Sequence, residues 1–560
     1  MIKPTPSQIA IRDAVARDLL VIAPAGCGKT EALALRIQGL VLRGDVKAPQ
    51  KILVTTFSNR ARDNIRDRLQ DYLSPTLLRD RVSITNFHGL AARLFRAHAN
   101  VIGIDPEMTI PEGDWVGDQC RVLGFDFNTS AAVQTTLRQA KQEARTDDEV
   151  EAYLCAPGRE AALRIERQRL SEGRLTYDDL PRLAELILAN DLVADLYRMH
   201  FGSVIVDEFQ DLTPQQLRIV NRIGYKQTTF AGDLAQGIYG FAGARPATIN
   251  TAIRAECSEV IEFSESHRSS PAVLAMVNAL SPLTAGTPLT CADSASWPDG
   301  GMAVAVGHPT ADAEGEWVAK VVQALVSQVP HQRIGIIART IGRRRFVEAA
   351  LTSAGVSFLR WDVALLDTNT ARTTKSMLGR FDARGYAAAS DKMAFLREAS
   401  GFDSLVDPSG RESLLDALQW CHDQLRAGTA AADIIKLIQI GDGNTLISAS
   451  GVHLLTGHIG KGQQFDWVIV VGLEDGVLPD FRANTAEEKT EEARVLSVML
   501  SRARHGVIAS RAVAVPTNGG YLRDRPQSPF LSQLATADPL DAQGLVDWFN
   551  AVDWGAVAAR

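Results

Sequence analysis

The segment Ala23-Pro24-Ala25-Gly26-Cys27-Gly28-Lys29-Thr30 leaves this chain few ways to fold. It follows an apolar run, Leu19-Leu20-Val21-Ile22, and precedes a stretch with Leu33, Leu35, Ile37 and Leu40 at helical spacing. Strand, glycine-rich loop and helix, in that order, form a phosphate cradle. Main-chain N–H groups of the turn and of the helix N-terminus point at one spot and favour an anion there. Lys29 is placed to reach outer phosphates and the Thr30 hydroxyl to ligate Mg²⁺. The first position is Ala23, where the usual pattern has glycine. Cys27 lies inside the loop, so a bulky group added to its thiol is expected to block the phosphates.

A second apolar run, Val204-Ile205-Val206, ends in Asp207-Glu208-Phe209-Gln210-Asp211. An acid at a strand end beside a phosphate loop holds Mg²⁺ through water, the part Asp207 would play. Glu208 would orient and deprotonate the attacking water, so the pair describes phosphoryl transfer by positioning and charge stabilisation.

At 560 residues the chain is long enough for several domains. Its net charge of −7 excludes a generally basic nucleic-acid coat, so any nucleic-acid site must be a local groove. Six cysteines are scattered with no CxxC pair, which argues against a zinc ribbon or an iron–sulfur cluster and suits a reducing cytosol. The N-terminus Met1-Ile2-Lys3-Pro4-Thr5-Pro6 has no apolar signal core, and no apolar run reaches membrane-spanning length. A cytoplasmic location without membrane contact is expected.

Strand-like runs recur at 19–23, 51–56, 82–85, 203–207, 228–232, 333–338, 452–456, 467–472 and 506–510. Many are continuously apolar rather than alternating, which predicts parallel strands covered on both faces. They fall into two groups divided near residue 260. Each group is interrupted by a strand-poor, helical stretch, at 97–200 and at 361–444. The reading is α/β, with two cores each carrying a helical insertion.

Further motifs decide what kind of nucleotide protein this is. Gln8 precedes the phosphate loop in Thr5-Pro6-Ser7-Gln8. Thr55-Thr56-Phe57-Ser58-Asn59-Arg60-Ala61 follows the second strand, and Thr85-Asn86-Phe87-His88-Gly89-Leu90 the third. Then come Ala231-Gly232-Asp233-Leu234-Ala235-Gln236-Gly237-Ile238-Tyr239-Gly240-Phe241 and Ser264-Glu265-Ser266-His267-Arg268-Ser269-Ser270. Late in the chain stand Leu455-Thr456-Gly457-His458-Ile459-Gly460-Lys461-Gly462-Gln463-Gln464-Phe465 and Glu491-Glu492-Ala493-Arg494, the latter running on to Ser501-Arg502-Ala503-Arg504.

In this order and spacing the set resembles the superfamily 1 DNA helicases of the UvrD/Rep/PcrA type, from about residue 5 to about residue 535. The resemblance implies two RecA-like P-loop NTPase cores: 1–96 with 197–260, and 261–360 with 445–535. The insertions are then 97–196 and 361–444, and 536–560 is a C-terminal tail. It implies ATP bound between the cores, with Gln8 and residues 23–30 (Ala23, Pro24, Ala25, Gly26, Cys27, Gly28, Lys29, Thr30) in the site and His267 against the base. Thr30 and Asp207 serve Mg²⁺. Lys29, Glu208, the γ-phosphate sensor Gln236 and the arginine fingers Arg268 and Arg502 serve hydrolysis. Single-stranded or tailed duplex DNA crosses both cores, with Phe57, Tyr239 and Phe241 as base-stacking candidates and Asn59, His88, Thr456 and His458 as backbone contacts. Movement 3′ to 5′ is implied by the resemblance alone.

The chain departs from the family pattern at several places. Glu31 stands where the family often has arginine, His267 replaces the tyrosine that stacks on adenine, Phe241-Ala242 replaces a Trp-Arg pair, and Gln464 replaces a glutamate. None of these touches the hydrolytic set. The second insertion is short for the corresponding subdomain. Two readings therefore stand: an ATP-driven translocase or helicase, acting with repair proteins or alone, and a DNA- or nucleotide-sensing regulatory ATPase that partners a nuclease, as in antiviral defence.

Overall fold

The computed structural model describes residues 4–57, 59–109, 115–361, 365–366, 368–389, 391–402, 428–440, 447–458, 461–516 and 521–560, with isolated positions between 414 and 426. Two parallel sheets dominate it. The first has strands β1 (Leu19–Ile22), β2 (Lys51–Thr56), β3 (Val82–Asn86), β4 (Phe201–Asp207), β5 (Thr228–Gly232) and β6 (Glu259–Glu262), in the order β3-β2-β4-β5-β1-β6. The second has β7 (Met302–Thr310), β8 (Arg333–Ala338), β9 (Phe358–Arg360), β10 (Gly451–Thr456), β11 (Phe465–Val471), β12 (Ala503–Pro516) and β13 (Leu522–Asp524). Its order is β9-β10-β8-β11-β12-β13, with β7 also on β12; only β13 runs antiparallel.

The continuous apolar runs have a direct cause. Side chains alternate across a strand, and here both faces are buried. Leu20, Ile22, Leu53, Val204, Val206 and Phe230 enter one core of the first sheet; Leu19, Val21, Ile52, Val54 and Ile205 enter the other. The second sheet repeats this, with Ile337, Leu455, Val468 and Val470 on one face and Ile336, Leu454, Trp467 and Ile469 on the other. A fully α/β, two-sheet architecture follows, as the run pattern predicts.

Some strands escaped the sequence reading, among them β6, β7, β9 and the antiparallel β13. β6 alternates exposed and half-buried positions and lies at a sheet edge, β9 is a three-residue edge strand, and β7 opens with the small residues of Met302-Ala303-Val304-Ala305-Val306. The region after residue 535 packs on the second sheet. Leu540 bridges Val304, and helices α1 (Ala542–Ala551) and α2 (Trp554–Ala559) bury Leu545, Val552 and Val557 against Trp467. Trp467 stacks on His505 at 5.6 Å and meets Trp548 and Trp554 edge-on or tilted near 6 Å.

The first insertion is helical and is held by buried charge. Lys141 lies 2.8 Å from Glu166 and 2.9 Å from Asp179; Arg169 and Arg182 reach Asp147 at 3.0 and 2.7 Å. The three carboxylates converge closely enough to suggest a metal site. The three cations between them already neutralise the cluster, so it is a structural network, costly to break by removing one partner.

Candidate functional site

The register of the first sheet brings the motifs together. Ile22 is level with Gly232, and Asp207 with Ala231, so the phosphate loop, the acid pair and Asp233 all emerge at the carboxyl ends of β1, β4 and β5. That end of a parallel sheet is where α/β proteins bind ligands. Gly26 and Gly28 adopt φ of +88° and +81°, and a Cβ on Gly26 would collide with Ser266 and Arg268. The second glycine also precedes the helix Lys29–Leu42, whose free N–H groups face the loop.

A cleft of about 910 Å³ lies between the two sheets. The first contributes Gln8, the phosphate loop, Glu31, Asp207, Glu208 and Gln236; across it stand His267, Arg268, Lys461 and Arg502. Lys29 Nζ sits 2.5 Å from Glu208 and 3.3 Å from Asp207. Burial raises both carboxyls; at Asp207 burial prevails over Lys29, whereas at Glu208 Lys29 and Lys461 outweigh it and hold the group at about 2. The shorter contact to Lys29 fits that order. The two lysines thus favour the ionised form of Glu208. Its backbone is left-handed (φ 58°, ψ 50°), a conformation that costs a non-glycine residue and is concentrated at functional positions.

A buried relay fixes this acid. Gln210, fully buried, donates to Glu208 at 2.6 Å and accepts from the Asp233 N–H at 3.0 Å. Asp233 in turn accepts from the Gln236 side-chain amide at 2.9 Å, and Arg502 lies 3.5 Å from Gln236 Oε1. Burial lowers Arg502 to about 9 and Arg268 to about 10, and each is further lowered by a neighbouring arginine. Among the described residues neither is paired with a carboxylate. Two desolvated guanidiniums facing a phosphate loop form a site that an anion would relieve.

Oxygen donors at Thr30 and Asp207 are the hard set Mg²⁺ takes, and a cation, the Lys29 ammonium, already rests against Asp207. Those residues fit the ion. Gln8 is buried at the capping box of Pro6–Asp13, its carbonyl accepting the Thr5 N–H at 2.9 Å and its amide reaching Gly28 O at 3.4 Å. His267 is exposed on the cleft rim. Glu31, standing where the family often has arginine, is held by Arg68 at 3.0 Å and by the Tyr72 hydroxyl. Cys27 is 2% exposed, and burial pushes its thiol up to about 12. The thiol lies within the loop and is shielded from solvent, and its raised pKa leaves little of the nucleophilic thiolate.

Of the DNA candidates, Phe57 and Tyr239 line the cleft. Phe57, 45% exposed, stacks on Tyr239 with centroids 5.0 Å apart and planes 12° off parallel. Lys461 lies over the Tyr239 ring at 4.6 Å. His88 is exposed, edge-on to Tyr177. Thr456 ends β10, half-buried. His458 is hydrogen-bonded to the main chain of Ile238, and burial lowers it to about 4. The side chains of Asn59 and Phe241 lie outside the described residues; the Phe241 backbone falls in the turn Gly240–Ala242.

Several partners were not singled out from sequence. Lys461 grips Asp211 at 2.6 Å and donates to Gln236 O at 2.8 Å. Gln210 and Asp211 lie in the same DEFQD run as Glu208, and position in that run is the signal that could have found them.

A phosphate loop on one parallel sheet, faced by arginines from a second, defines a two-core P-loop nucleotide-binding protein. The UvrD/REP helicase N-terminal domain model matches residues 5–255, and the UvrD-like helicase C-terminal domain model residues 413–513. The ATP-dependent DNA helicase UvrD2 of Mycobacterium tuberculosis is 26% identical over 93% of this chain and 80% of its own length. UvrD1 of the same organism is 25% identical over 95% of this chain and 84% of its own length. The DNA helicase II of Haemophilus influenzae is 28% identical over 47% of this chain and 38% of its own length. The chain belongs to the UvrD-like helicase family. No described helix is long and apolar enough to cross a membrane.

Proposed function

We propose that this protein is a single-stranded-DNA-dependent ATPase that converts hydrolysis between its two cores into 3′ to 5′ movement on DNA and opening of tailed duplexes. The observation that carries the reading is the pair Arg268, half-buried, and Arg502, buried, both unpaired with acids among the described residues and turned toward the phosphate loop of the other core. The loop's N–H groups and Lys29 would bind the β- and γ-phosphates, and Thr30 and Asp207 would hold Mg²⁺. The ion supplies charge neutralisation across the phosphates. Glu208, ionised and fixed by Gln210, would take the proton from water aimed at the γ-phosphate. Arg268 and Arg502 would stabilise charge on the transferring group only when the cleft is closed. Lys29 must leave the acids as ATP enters, so substrate binding itself frees Glu208.

The Phe57–Tyr239 stack supports DNA contact by base stacking, which tolerates any sequence. The short second insertion supports the alternative, a regulatory ATPase that partners a nuclease and unwinds little. One experiment separates the two: ATPase and strand separation on 3′-tailed, 5′-tailed and blunt duplexes. Unwinding of the 3′-tailed duplex alone supports the motor. DNA-stimulated hydrolysis with no unwinding supports the regulatory reading, and hydrolysis indifferent to DNA overturns the first.

A further inference from the structure

The segment 236–240 leaves the first sheet from β5, yet the second core holds it at every other residue. Lys461 donates to the carbonyl of Gln236 at 2.8 Å, His458 hydrogen-bonds the main chain of Ile238, and Glu491 accepts the N–H of Gly240 at 2.9 Å. The Ile238 side chain is fully buried in the apolar cluster of the second core, with Val273, Val468 and Leu496. This short run carries both Gln236, beside Arg502, and Tyr239, on the Phe57 stack. Glu491 belongs to the helix Ala486–Leu500, which ends two residues before Arg502. Gly240 has no positive φ, but a Cβ there would overlap the Glu491 carboxylate. The glycine is therefore what lets the carboxylate reach the main chain.

We propose that Glu491 is a positioning residue: from the second core it holds the Gly240 N–H, so that closure on nucleotide and placement of Tyr239 toward DNA are a single event. The inference rests on the ATP and DNA reading above. Its physical content is a coupling free energy. If one segment reports to both ligands, each ligand must change the affinity of the other by the same factor. Loosening the segment from the second core should abolish that factor and leave each separate affinity nearly unchanged.

The test uses the full chain and three variants, Glu491→Ala, Glu491→Gln and Gly240→Ala. Affinity for a fluorescent oligo-dT is measured with and without a non-hydrolysable ATP analogue and Mg²⁺, and the analogue's affinity with and without DNA. Glu491→Ala and Gly240→Ala should cut the linkage at least fivefold, toward a ratio of one. Affinity for DNA alone should stay within twofold, and melting temperature near that of the parent. Glu491→Gln keeps an acceptor oxygen and should retain the linkage, which a merely structural role does not predict. Linkage within twofold of the parent in both Glu491→Ala and Gly240→Ala overturns the proposal, as does a Glu491→Gln variant as impaired as alanine. If Glu491→Ala does not fold, Gly240→Ala decides, because it displaces the carboxylate without removing it. A parent protein that binds both ligands with no linkage also overturns the proposal, whereas one that binds neither ligand defeats the ATP and DNA reading.

Discussion

The two sheets share a plan and differ in charge. At the carboxyl ends of the first sheet stand Asp207, Glu208, Asp211 and Asp233; the second offers the same cleft Arg268, Lys461 and Arg502. One half can bind phosphate and hold water. The other can only stabilise charge as it develops. On the proposed reading neither is a catalyst alone, and a phosphate chain between them would complete both. Buried histidines also mark the second core. His453 and His505 are almost fully buried within the second core, and burial lowers both, with His458, to about 4.

The strongest break in this comparison would come from the acid side. Glu208→Gln should lower DNA-stimulated turnover by roughly 10³ or more while nucleotide still binds, and Lys29→Ala should lose both. Near-normal turnover in Glu208→Gln would remove the first sheet's claim to the chemistry. Next in size is the cation side. Arg502→Ala should cost on the order of 10³ in turnover with little loss of DNA affinity. If only DNA affinity fell, the second sheet would be a binding platform and the division of labour would be wrong.

Acid sharpens the contrast through stability. Trp361 donates to His453 Nδ1 at 3.0 Å and Nε2 lies 2.8 Å from Ala449 O, so the neutral ring is fully used. A base whose folded pKa is depressed leaves stability intact above the unfolded value, near 6.5. Stability is then lost as pH falls toward 4, because only the unfolded chain takes the proton. For His453 the loss approaches about 3 kcal/mol. Unfolding followed between pH 7 and pH 4 should take up protons, and His453→Gln should flatten the pH dependence. An unchanged slope would place the acid sensitivity elsewhere.

Smaller effects belong to the DNA face. Tyr239→Ala or Phe57→Ala should weaken oligo-dT binding by about 1–3 kcal/mol at fixed salt, with the salt slope unaltered, since stacking releases no counterions. A fall in melting temperature without a fall in affinity would make the ring pair a structural contact. The least effect is expected at Cys27: iodoacetamide should label the exposed Cys155 first and leave ATPase almost unchanged. Rapid inactivation protected by ATP would contradict the buried thiol.

The strands that carry the cleft were legible because burial on both faces writes long apolar runs, as in Val204-Ile205-Val206. β6 and β9 were not, because edge strands need no such run. The cleft residues were legible as far as motif order reaches: Lys29, Asp207, Glu208, Gln236, Arg268 and Arg502 all line one cavity or contact its lining. What spacing does not encode is which side chain crosses from one core to the other. Lys461 meets Asp211 across 250 positions and Glu491 meets Gly240 across 251, and no local pattern announces either contact. Glu208's left-handed backbone is equally silent in sequence, because a strained residue is tolerated only by the fold around it.

The seating of the last helices on Trp467 has an optical consequence. Three indoles, from Trp467, Trp548 and Trp554, lie within energy-transfer range of one another, and Trp467 stacks on His505. Excitation gathered by the cluster can reach the ring that touches an imidazole, and a protonated imidazole quenches indole emission. The second core thus holds an intrinsic reporter: separation of this cluster as acid unfolds the core should change the indole emission, and no dye need be attached to watch it.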